Sequence, residues 1–120
     1  MTQAGSVPGR LQGFQNCETA IALPKQAIAD FCLRWKIDEF YLFGSILRTD
    51  FHAESDVDTM VQFAPEAQVG LFELAAMKRE LEETLSRKVD LITKKSIKNS
   101  DNWIRRKEIL GTARLLYAAG

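Results

Sequence analysis

Apolar and polar residues recur with two different periods along this chain, and the switches between them outline its elements. After Pro24, which suits the first turn of a helix, Ala27, Ile28, Phe31, Cys32 and Trp35 return at helical spacing. The run EFYLFG at 39–44 is short, aromatic and stopped by glycine, the pattern of a buried strand. Residues 45–55 read as a short helical turn followed by a polar loop. In DVDTMVQF at 56–63, Val57, Thr59, Val61 and Phe63 face one way and Asp56, Asp58, Met60 and Gln62 the other, until Pro65 ends the run. Residues 71–85 are an amphipathic helix, and KVDLI at 88–92 is a third strand with Asp90 turned away from Val89 and Leu91. A basic linker follows. Asp101 is then the expected N-cap of a helix reaching about Leu110, with Gly111 in the left-handed position just past its end. ARLLY at 113–117 suits a helical continuation or a strand, and the strand is the expectation.

Residues 1–20 show no period and are expected to be a flexible lead-in, leaving 21–120 as one folded domain. Alternating strands and helices imply an α/β or α+β fold, a small mixed sheet with helices packed on it.

Composition narrows the function classes. The 120 residues are 46% hydrophobic and 27% charged, with a formal net charge of zero, so no global field draws the chain to nucleic acid or an anionic membrane. Direct nucleic-acid binding is not expected. Cys17 and Cys32 have neither metal nor redox spacing, and free thiols in a reducing cytoplasm are the expectation over a disulfide. Neither a membrane span nor a signal-peptide plan is visible, which makes the expected location cytoplasmic.

The stretch GSILRTDFHAESDVD at 44–58 carries most of the candidate chemistry. Carboxylates at i and i+2 of a strand stand on one face, where their mutual repulsion calls for a compensating cation. Hard oxygen ligands suit Mg²⁺, which completes its shell with water and phosphates. Asp90 could add a third carboxylate if its strand lies alongside, giving a two-metal clamp for displacement at phosphorus. Gly44 lets a substrate approach the backbone, and the Ser45 hydroxyl and nearby amides can donate to phosphate oxygens, with Arg48 adding a cation. Each feature alone has an ordinary explanation: Asp-x-Asp as capping chemistry, Gly-Ser as a turn, Asp90 as a solvated strand residue. Their combination points to a site.

Gly-Ser, ten intervening residues (46–55) and Asp-x-Asp resemble the signature of the nucleotidyltransferase superfamily that includes DNA polymerase beta. Together with the short length, GSILR, SDVD and RKVDLIT are most similar to its minimal nucleotidyltransferase (MNT) branch, over about residues 24–117. Thr49 stands where that family often has glycine, and Thr59 and Met60 where it has an aliphatic pair. The resemblance implies that Asp56 and Asp58 hold two Mg²⁺ ions around ATP, and that Asp90 helps bind one metal and activates the attacking hydroxyl. It likewise assigns Gly44, Ser45 and Arg48 to the triphosphate. It further implies an antitoxin that moves AMP to a tyrosine of a HEPN-domain ribonuclease toxin and so silences it. Two other readings remain open: a binding-only antitoxin, and transfer to a small-molecule hydroxyl. The length leaves no room for a separate acceptor-binding domain, which weighs against the latter.

Other residues have plainer expectations. His52, the single histidine, could serve as a base but reads better as a solvated loop residue. Lys94, Lys95, Lys98, Arg105, Arg106 and Lys107 make the late chain basic, a solvated face unless a partner or phosphate meets it. Trp35 and Trp103 fit helix packing, with a partner contact as the alternative for Trp103, and Tyr41 is expected in the core.

Overall fold

A computed structural model describes residues 23–47, 51–52 and 54–119. The lead-in at 1–20, Cys17 and Arg48 lie outside the described residues. The elements are α1 (Lys25–Arg34), β1 (Ile37–Phe43), a 3-10 turn (Gly44–Leu47), β2 (Val57–Phe63), α2 (Leu71–Leu85), β3 (Val89–Thr93), α3 (Lys94–Lys98), α4 (Trp103–Thr112) and β4 (Arg114–Ala118). They form one four-stranded sheet in the order β3-β2-β1-β4. β1 runs antiparallel to β2 and β4, while β2 and β3 are parallel, as a crossover through α2 requires. This is the small mixed sheet with packed helices that the alternation implies.

Each sheet face has its own core. On one, Ile28, Phe31 and Cys32 of α1 and Met77 and Leu81 of α2 pack on Phe40, Leu42, Val57, Val61 and Val89. The helical spacing in α1 and the two-residue spacing in β2 meet there, which is why both patterns are sharp in the sequence. Trp35 joins the two helices by donating from Nε1 to Glu80 Oε1 at 3.0 Å, beside the Arg34–Glu80 ion pair. On the opposite face a smaller cluster gathers Phe43, Met60, Ile97 of α3 and Ile109 of α4.

Several boundaries differ from expectation. β1 begins at Ile37, directly after Lys36 turns the chain with φ 57°. β2 begins at Val57, whose amide donates to Lys88 O at 2.9 Å, so Asp56 stands at the strand's entry rather than within it. The basic linker is partly helical: Thr93 Oγ1 accepts from Ser96 N at 3.1 Å and starts α3. Asn102, not Asp101, caps α4, accepting from Arg105 N at 3.1 Å. Gly111 lies inside that helix. The exit is at Ala113, which is extended at φ −60° and ψ 141° and feeds β4 without a left-handed residue.

Candidate active site

Strand register decides which carboxylates meet. Asp58 pairs with Phe43 on β1 and with Asp90 on β3, so Phe43, Asp58 and Asp90 form one row across three strands. Val57, Thr59 and Val61 are fully buried on the α1–α2 side, which puts Asp58 on the other face by strand alternation. One row deeper lie Tyr41, Met60 and Ile92, and Met60 is only 1% exposed beneath α3 and α4. An apolar floor therefore lies next to the carboxylate row. Asp90 is exposed on the edge strand, Asp58 is half-buried, and Asp56 is exposed at the entry to β2.

The turn after β1 fits tightly against this row. Gly44 has φ 77°, a conformation costly for any residue with a Cβ. A Cβ built there would overlap Oδ2 of Asp58 and lie 3.1 Å from its Cγ. The two halves of the 44–58 motif, separate in sequence, thus meet through a glycine's missing side chain. Ser45 follows in the same 3-10 turn and is half-buried, with Ile46 fully buried behind it.

The donor set is all hard oxygen, the chemistry a divalent cation such as Mg²⁺ accepts. Among the described residues no three His, Cys, Asp or Glu side chains gather closely enough to hold an ion. The fold aligns Asp58 with Asp90 and leaves Asp56 two positions away, at the strand's mouth.

Three side chains that anchor the row have no signature in the sequence, because each acts only once distant segments are assembled. Thr59 Oγ1 donates to the main-chain carbonyl of Asp90 at 3.0 Å, and Glu82 Oε2 accepts from Val89 N at 3.1 Å. Arg87 ties down the loop before Asp56, lying 4.6 Å from the Phe51 ring centroid and donating to His52 O at 3.1 Å and Ser55 O at 3.4 Å. His52 is exposed in that loop, its Nδ1 accepting from Glu54 N at 3.2 Å, as a solvated loop residue would.

Tyr41 packs half-buried against the smaller core, with its hydroxyl turned to polar partners. Its hydroxyl donates to Glu39 Oε1 at 2.6 Å and accepts from Lys94 Nζ at 2.9 Å, and Lys94 also reaches Glu39 at 3.2 Å. The Tyr41 hydrogen bond holds the Glu39 carboxyl below its ordinary range, against burial. Burial and then Glu39 push the Tyr41 hydroxyl up, and the Tyr41 hydroxyl raises Lys94. A polar residue on the α3–α4 face of β1 is tolerated because these three groups satisfy one another. Trp103, by contrast, is 60% exposed at the start of α4, so it does not serve helix packing.

Residues 24–116 match the family described as "Nucleotidyltransferase domain". Two Methanocaldococcus jannaschii proteins, both provisionally named protein adenylyltransferases, are 42% identical over 66 residues and 34% identical over 73 residues. The first match covers 55% of this chain and 66% of that relative, just under two thirds; the second covers 61% and 76%. Among solved structures, a chain of a toxin–antitoxin complex with AMP-PNP superposes with a TM-score of 0.63 at 19% identity, covering 80% of this chain and 74% of that one. A complex of tri-AMPylated Shewanella oneidensis HEPN toxin with MNT antitoxin gives a TM-score of 0.54 at 18% identity, covering 78% and 68%. At those identities the likeness is one of fold. The matched span runs from the first turn of α1 into β4 and takes in the Gly44 turn and all three aspartates, and this chain belongs to the nucleotidyltransferase domain family.

Proposed function

We propose that this chain transfers AMP from ATP to a tyrosine hydroxyl of a partner HEPN-domain ribonuclease toxin and thereby neutralises it. The observation that carries the reading is the pairing of Asp58 with Asp90 in register, with Gly44 backed directly against the Asp58 carboxylate. The adenylyltransferase names of its relatives and the AMPylated HEPN toxin in a structural neighbour's complex support the choice of group and acceptor. Asp58 and Asp90, aligned in register, would share one Mg²⁺ ion, and Asp56 at the strand's mouth would serve a second held together with the triphosphate; the ions would offset phosphate charge.

The chain's own residues have distinct tasks in this reading. Gly44 leaves room for the triphosphate, and the Ser45 hydroxyl and turn amides donate to its oxygens; Arg48 is proposed for the same anion. Asp90 takes the proton of the acceptor hydroxyl as its oxygen bonds to the α-phosphorus. The bond from that phosphorus to pyrophosphate breaks in the same displacement. Exposure at the edge strand suits Asp90 to an acceptor that arrives on another protein.

Intact-mass spectrometry of the HEPN partner tests this after incubation with ATP and Mg²⁺. Wild type is expected to add adenylate mass, and Asp58→Ala and Asp90→Ala to add none while remaining folded. No adduct with wild type, or equal adducts with the variants, sinks the proposal.

A further inference from the structure

Thr59 is 0% exposed, a polar side chain wholly enclosed in the core. It lies on the apolar face of β2 between Val57 and Val61, where valine would fill the same space with no polar group to satisfy. Its hydroxyl donates at 3.0 Å to the main-chain carbonyl of Asp90. Thr59 itself pairs with Leu91, so the hydroxyl reaches back along β3 to the residue that faces Asp58.

The location of β3 gives that bond its consequence. Among the described residues β3 is an edge strand, paired with β2 on one side alone. Its entry is gripped by two side chains: Glu82 of α2 accepts the Val89 amide, and Thr59 of β2 takes the Asp90 carbonyl one residue later. One contact comes from the helix and the other from the neighbouring strand, and together they restrain sliding and tilting of β3 at the residue that carries the carboxylate. We propose that Thr59 is a positioning residue: through the Asp90 carbonyl it fixes the separation of the Asp90 and Asp58 carboxylates and so their joint hold on a divalent cation. The proposal rests on the metal-dependent transfer reading above. Thr59 touches neither substrate nor cation; it acts through Asp90.

The test compares Thr59→Val, which removes the hydroxyl, with Thr59→Ser, which keeps it. Mn²⁺ binding is followed by electron paramagnetic resonance, and amide exchange of Asp90 and Leu91 by NMR without metal. Removing outer partners of metal ligands typically weakens binding about 10–100-fold. Because Thr59 holds a carbonyl rather than the carboxylate, Thr59→Val is expected to weaken Mn²⁺ roughly 3- to 10-fold and speed exchange at both amides. Thr59→Ser is expected to stay within about twofold of wild type, since it retains the donor. If Thr59→Val fails to unfold cooperatively, Thr59→Ala against Thr59→Ser reads the same contrast. Wild-type binding and exchange in a folded Thr59→Val overturn the role of Thr59 and leave the transferase reading standing. Failure of wild type to bind Mn²⁺ overturns both.

Discussion

Gly44→Ala probes the join between the two halves of the motif. The native backbone at this position has φ 77°, and an L-residue held there costs about 1–2 kcal/mol relative to glycine. The new methyl also overlaps Oδ2 of Asp58 and sits 3.1 Å from Cγ and 3.4 Å from Cβ. Since the overlapped atom ends a rotatable side chain, the carboxylate turns aside instead of the backbone opening. An off-rotamer aspartate adds about 0.5–1.5 kcal/mol. The expected total is about 2 kcal/mol, or roughly a 10 °C fall in Tm for a domain of this size. If Asp58 serves the proposed transfer, activity should suffer more than stability, because a catalytic group displaced by about 1 Å can cost on the order of 100-fold. Chemical denaturation gives the stability term and partner intact mass the transfer rate. A double-mutant cycle separates the two physical causes. In an Asp58→Ala background the steric part vanishes, and Gly44→Ala should cost only the backbone term, a coupling of about 1 kcal/mol. Equal costs in both backgrounds refute the contact, and an unchanged Tm with full transfer refutes the whole argument.

Three further outcomes follow from groups outside the carboxylate row. The Tyr41 hydrogen bond lowers the native pKa of Glu39, so Glu39 adds stability above its unfolded pKa that is lost as pH falls through the native one; Glu39→Gln should cost about 1 kcal/mol at pH 7, screened by the group's partial exposure, with the gap to wild type closing in urea titrations as pH falls below the ordinary carboxylate range. Burial pushes the Cys32 thiol up to about 12, so in a Cys17→Ser background a disulfide reagent at about pH 8 should leave native Cys32 unmodified and label it on denaturation. Trp103→Ala should change stability by less than about 0.5 kcal/mol because the ring is 60% exposed, whereas Phe40→Ala, at 0%, should cost about 3–5 kcal/mol by the same denaturation assay.

What was legible in the sequence was whatever a single segment decides by itself. Ile28, Phe31 and Cys32 declare α1 because one helix face meets one sheet face, and Val57, Thr59 and Val61 declare β2 for the same reason. The final strand is also where ARLLY suggests it. Gly111 misleads because glycine's freedom is an option and not an instruction: Ala113 leaves the helix directly into extended backbone, so no left-handed residue is needed. KKSIK hides a helix because Ile97 alone anchors it, one apolar residue being too few to set a period. Tyr41 reads as core from its neighbours Phe40 and Leu42; its acceptor Glu39 is on the same strand, but its donor Lys94 arrives from the start of α3 only once β3 has paired with β2. The candidate site divides along the same line. Its residue types are visible in Gly-Ser, Asp-x-Asp and KVD, but strand register alone puts Asp90 beside Asp58. A slip of one residue between β2 and β3 would turn Asp90 to the opposite face, with every letter of the motif unchanged. Whatever holds that register is therefore as much a part of the site as the carboxylates, and the Thr59 hydroxyl is a contact able to do so from inside the core.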